Sequence, residues 1–155
     1  MEDFALKPET VAQFAVFQGS TIHSGDDKTI DGFGVRKIDG QNVEFRKGGP
    51  MKMVHGPDGT QQIYVIVPPG KHQLTFVHRH TIKRKYAVDL RYDGFITREI
   101  ELRAGMYAVH GEHEGEHGVI WATRVDTGEV VLPRSECDIH RADEAFPVLI
   151  PNLRK

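Results

Sequence analysis

Apolar and polar residues alternate in several stretches of the chain. Tyr86, Val88, Leu90 and Tyr92 are separated by Ala87, Asp89 and Arg91, and Leu74 and Phe76 by Thr75. Ile100 and Leu102 flank Glu101. A period of two puts one set of side chains on a core and the other in water, as in a half-buried β-strand. Val119, Trp121, Thr123 and Val125 follow the same rule, with Trp121 expected in the core. Ile63 to Val67 is continuously apolar and reads as a central strand stopped by Pro68-Pro69. Gly and Pro recur at short intervals between these runs, which is the punctuation of an all-β sandwich or barrel.

The pattern predicts strands near 13–18, 33–38, 42–46, 62–67, 71–78, 85–92, 96–102, 106–111, 118–125 and 129–132. Asp39-Gly40 and Asp93-Gly94 are tight-turn dipeptides, and Asp126-Thr127-Gly128 ends a late strand. At most one short C-terminal helix is expected, over Ser135–Phe146, capped by Ser135 and ended by Pro147. The expected fold is therefore an antiparallel β-sandwich forming one domain over 1–155. Its core covers about 13–132, and 133–155 form an extension. Lys47–Thr60, with four Gly and two Pro in fourteen residues, is an unusually long connection.

Composition narrows the function classes. The chain has 155 residues and a formal charge of −2, which excludes a generally basic nucleic-acid binder. It has no apolar run of the ~18–20 residues that a transmembrane helix needs. A single Cys excludes an intrachain disulfide and a Cys-based zinc cluster. The Met1-Glu2-Asp3-Phe4 start lacks the basic and apolar regions of a secretory signal. The expected location is the periplasm or cell envelope if a leader was removed, and the cytoplasm otherwise.

Three local patterns point to a family. They are Ile38-Asp39-Gly40-Gln41-Asn42-Val43, Val67-Pro68-Pro69-Gly70-Lys71-His72-Gln73-Leu74, and Leu102-Arg103-Ala104-Gly105-Met106-Tyr107-Ala108-Val109 followed by Asp126-Thr127-Gly128-Glu129-Val130-Val131. Together they resemble small bacterial envelope proteins and lipoproteins of the PEGA and DUF2846 type, over roughly Ala15 to Val131. The resemblance implies a transthyretin-like or immunoglobulin-like sandwich in an envelope setting. It implies no catalytic residues.

Nine His give the chain its chemical character. His113-Glu114-Gly115-Glu116-His117 matches the H-E-x-x-H letters of zinc proteases. That motif works on a helix, where two imidazoles stack at i and i+4. Gly111, Gly115 and Gly118 each disfavour a helix by about 1 kcal/mol relative to Ala. Ile120 also stands where the longer metzincin motif has Gly. A hairpin loop carrying His110, His113, His117 and Glu114, with Glu116 nearby, could still hold Zn, Ni or Cu without helical geometry. Residues 104–129 hold five acids and one Arg, which favours a cation there. Residues 71–103 hold eight Lys/Arg and four acids, including His78-Arg79-His80-Thr81-Ile82-Lys83-Arg84-Lys85. This reads as a charged hairpin end, without the exposed aromatics that specific nucleic-acid binding needs.

The leading expectation is a non-catalytic binding or structural module that meets a protein or envelope component through its loops or an edge. The alternative is a divalent-metal protein using the 110–117 loop. A zinc-dependent hydrolase ranks third.

Overall fold

The computed structural model describes residues 7–26, 28–44, 49–55 and 61–142. It is an all-β sandwich. The elements in chain order are α1 (Pro8–Gln13), β1 (Ala15–Gln18), β2 (Ser20–His23), β3 (Thr29–Ile38), β4 (Gln41–Asn42), β5 (Met51–His55), β6 (Gln61–Val67), β7 (Gly70–Ile82), β8 (Leu90–Leu102), β9 (Gly105–Glu114), β10 (His117–Arg124), β11 (Val130–Asp138) and β12 (His140–Arg141). One sheet has the order β11-β10-β9-β1-β6-β5. The other has the order β12-β8-β7-β3-β2, with β4 pairing on β3. The pairings are antiparallel except for β1 on β9, which is parallel. Among the described residues no helix is long and apolar enough to cross a membrane.

The inward faces bury Phe17, Phe33, Val35, Val65, Leu74, Phe76, Ile96, Leu102, Tyr107, Val109, Ile120 and Leu132 in one core. Burying each large apolar side chain contributes about 1.5–3 kcal/mol. Phe17 stacks on Tyr107 with centroids 4.9 Å apart and meets Phe76 edge-on at 6.1 Å. The chain changes sheets between β1 and β2 at Gly19, where a Cβ would lie 2.9 Å from the Phe33 carbonyl oxygen. Asp39-Gly40 makes the expected turn, with φ of 51° and 82°, and Asp39 Oδ1 accepts from the Gln73 N–H at 2.9 Å.

The structure corrects several expectations. Asp93-Gly94 is not a turn. β8 runs unbroken because it pairs with β7 along its whole length, from Gly70↔Leu102 to Ile82↔Leu90. Gly94 serves a close approach instead, since a Cβ there would lie 2.7 Å from the Asp138 carbonyl oxygen and 2.9 Å from Cys137 Sγ. The hairpin connection falls at 83–89, so Tyr86 and Val88, expected inward, are 90% and 80% exposed.

On β10 Val119 is buried as expected, but the row that enters the main core is the other one. Ile120 and Ala122 are in the core, and Trp121 packs outside with the Arg134 guanidinium 4.2 Å from its ring. The C-terminal helix is also overturned over its described part. Residues 130–138 form β11, which pairs with β10 and buries Leu132 and Cys137. A ladder satisfies this backbone while seating two apolar side chains in the core. Residues 143–146 of that segment, and the tail from Val148, lie outside the described residues. The long connection contributes β5, which pairs with β6, while residues 47–48 and 56–60 of it are outside the description. The strand expected at 42–46 is reduced to β4, its last two residues lying outside the description. The chain has a short helix, α1, opened by Pro8 at its first position.

Candidate metal centre

Three strands carry inward rows that change character at the same end of the sandwich. On β3 the row runs Val35, Phe33, Asp31. On β7 it runs Leu74, Phe76, His78, His80. On β9 it runs Tyr107, Val109, Gly111, His113. Each row is apolar in the middle of the core and ends in an imidazole or a carboxylate. Register brings the rows together: Phe33 faces His78 and Asp31 faces His80 across the β3–β7 ladder. His113 comes from the opposite sheet.

Asp31 Oδ1 is the hub. His78 Nε2 and His80 Nδ1 both lie 2.7 Å from it, and His113 Nδ1 lies 3.8 Å from it. One ligand atom from each of the four residues falls within 4.8 Å of every other. An ionised carboxylate only accepts, so both close imidazole nitrogens donate to it. His78 is fully buried, its ring stacked on Phe33 at 4.5 Å. His80 stacks face to face on His113, with centroids 4.0 Å apart and planes 5° apart. Two buried ring nitrogens, His78 Nδ1 and His113 Nδ1, have no hydrogen-bond partner.

Glycine makes the room. A Cβ on Gly118 would lie 2.0 Å from His78 Nδ1, and one on Gly111 would lie 2.0 Å from the Phe33 ring. Two of the glycines that disfavour a helix in this segment, Gly111 and Gly118, are thus the positions where the opposite sheet's side chains close in, whereas Gly115 takes the positive φ of the turn.

Burial pushes His78 below its ordinary pKa despite the opposing hydrogen bond from Asp31. Burial also lowers His113, and the charge that His80 would carry adds to the effect. Both rings are thereby held neutral, the form that binds a metal. Three imidazoles and one carboxylate suit Zn and other late divalent ions.

Of the residues expected at the hairpin, the structure brings only His113 into this group. His113 is on a strand and points inward, whereas His110 and Glu114 occupy the alternate, outward positions of β9. His110 bonds Thr123 Oγ1 at 3.0 Å and stacks on Trp121. Glu114 and Glu116 are exposed. His117 lies across the turn, paired with Asp138 at 2.8 Å. The H-E-x-x-H letters thus span two strands and the turn between them, and the helical stacking that motif requires is absent. Sequence reasoning missed Asp31, His78 and His80. His78-x-His80 did carry a signal, since a spacing of two on a strand puts both rings on one face. Asp31 carried none.

Beyond the cluster the sandwich opens into a cleft of about 740 Å³. His80 and His113 form its inner wall, and Tyr92, His117, His140 and Arg141 line the rest with Asp138, Glu116 and the apolar side chains of Ile82 and Ile139. Cys137 is buried and its thiol pKa is raised by that burial, so it behaves as a small core residue.

No family model, no curated protein and no solved structure matches the chain.

Proposed function

We propose that this protein is a non-catalytic β-sandwich module that binds one divalent transition-metal ion through Asp31, His78, His80 and His113. The observation that carries the reading is the convergence of three imidazoles on one buried carboxylate, with the buried His113 Nδ1 left unpartnered beside it. Buried polar atoms are rarely left so, and an ion beside Asp31 would satisfy His113 Nδ1, while His78 would ligate through Nε2, the nitrogen it turns to Asp31. The donor set also fits. Neutral imidazole and carboxylate together satisfy a borderline ion such as Zn²⁺, and no thiolate is needed. An envelope location with a protein or surface partner remains part of this proposal, on the sequence resemblance.

Calorimetric titration of metal-free protein with Zn²⁺ tests it. One equivalent should bind. Asp31→Asn and His78→Gln should each weaken binding by at least about 10–100-fold, the loss already typical when only a ligand's supporting partner is removed. His117→Ala and Glu114→Gln should leave it unchanged. No heat and no thermal shift in the parent protein would refute the reading, as would loss of binding through His117 rather than His78.

A further inference from the structure

We infer that the ion in this centre accepts an exogenous small carboxylate from the cleft, with the carboxylate on the metal and an apolar substituent against Ile82 and Tyr92. The inference rests on the metal-binding reading above.

The first support is the placement of the four ligands. Asp31 and His78 are buried behind the centre, whereas His80 and His113 form the inner wall of the cleft. An ion held between them has its accessible side toward the cleft. His113 is the loosest member. It makes no hydrogen bond through Nδ1, stands 3.8 Å from Asp31, and leaves 26% of its side chain exposed. Room for an added ligand is therefore on the His113 side. Four protein ligands do not bar this, because zinc expands to five-coordinate.

The second support is charge. A divalent ion with one carboxylate and three neutral imidazoles keeps a net charge of +1. In a partly desolvated site that excess attracts one monoanion. The excess that draws the anion is the ion's own, since Arg141 shares the cleft with the carboxylates of Asp138 and Glu116. Arg141 itself sits over the Tyr92 ring, 6.0 Å from the centroid, at the apolar side of the cleft.

The third support is size. A 740 Å³ opening falls in the range of small-molecule sites and far exceeds what one water or halide requires. The wall formed by Ile82, Tyr92 and Ile139 gives an apolar substituent a surface to cover. A small organic acid matches the site better than an inorganic anion.

Co²⁺ replacing Zn²⁺ makes the centre visible, because its visible absorption responds to ligand number and type. The full chain is loaded with Co²⁺ and titrated separately with azide, acetate and benzoate. Each anion should change the spectrum saturably, and benzoate should bind at least about tenfold more tightly than acetate through the area its ring buries. Ile82→Ala should weaken benzoate about three- to fivefold and leave acetate unchanged, because it removes apolar area that only the ring covers. If Co²⁺ binds and no anion alters its spectrum, the inference is overturned while the metal reading stands. If azide binds but benzoate is no tighter than acetate, the organic-acid assignment is overturned. If folded protein takes up no Co²⁺ at all, the metal reading fails, and this inference fails with it.

Discussion

At the scale of single residues, the centre is a problem of burying charge. A carboxylate such as Asp31, only 8% exposed, is costly unless it is paired. Two imidazoles donate to one of its oxygens, and hydrogen bonds to a charged group are worth about 1.5–3 kcal/mol each. The imidazoles are under the opposite pressure, since burial disfavours their protonated form. His78 and His113 therefore have folded-state pKa values below the unfolded one. The groups facing His78 are Asp31, His80 and, more distantly, Asp93, and those facing His113 are His80, Asp31 and His78. In acid the unfolded chain takes up protons that the folded chain refuses, so stability falls. The contribution is fully present above the ordinary His value near 6.5 and is lost as pH drops from there toward the lowered folded values. Urea denaturation of metal-free protein from pH 8 to 5 should show this decline. His78→Phe, which stays neutral and apolar, should flatten it, and an equally steep decline in that variant would contradict the assignment.

At the scale of elements, the β9–β10 hairpin lies within one sheet and packs against β3 and β7 of the other at the site. His113 and Gly118 face each other in its ladder. One supplies a ligand, and the other leaves space for a ligand from the opposite sheet. Gly118→Ala must displace His78, because the added carbon would sit 2.0 Å from its Nδ1. Overpacking of this kind costs about 1–3 kcal/mol. Gly34→Ala on β3 is the control, since a Cβ there meets nothing within 4 Å. Chemical denaturation and Zn²⁺ titration of both variants should show Gly118→Ala destabilised and weakened in metal binding. Gly34→Ala should stay close to the parent in metal affinity. Equal Zn²⁺ affinity in the two variants would mean that His78 is not held by this packing.

At the scale of the whole molecule, a bound ion would link the sheets. Asp31, His78 and His80 belong to one and His113 to the other. Ligand that binds only the folded state stabilises it by about 2.7 kcal/mol at a hundred times its dissociation constant. For a domain of this length each kcal/mol raises the melting temperature by about 2–4 °C. A rise of roughly 5–10 °C with saturating Zn²⁺ is expected by calorimetry. It should disappear in Asp31→Asn and persist in His117→Ala.

How much of this was legible in sequence differs from feature to feature. Period-two alternation gave the strands on both sides of Tyr107 and the all-β class, because side-chain alternation is a local property of extended backbone. Asp39-Gly40 announced its turn because φ above zero is itself local. Asp93-Gly94 announced a turn that does not exist, because the length of the β7–β8 ladder outweighed the local preference. The inward face of β10 was misread. Trp121 is the larger hydrophobe, but Ile120 and Ala122 are the ones aligned with the inward row of β9. Clustering of His in sequence pointed to residues 110–117, and alternation then sent His110 and His113 to opposite faces.

The sequence by itself determined strands, turns and a supply of imidazoles, since each depends on neighbours within a few positions. Tertiary structure alone decided which imidazoles meet. Asp31 lies 47 residues from His78 along the chain, and only the β3–β7 register and the stacking of two sheets bring them to 2.7 Å. Distance in the fold, unlike spacing in the chain, is set by ladder register and core packing, and neither is written at any single position.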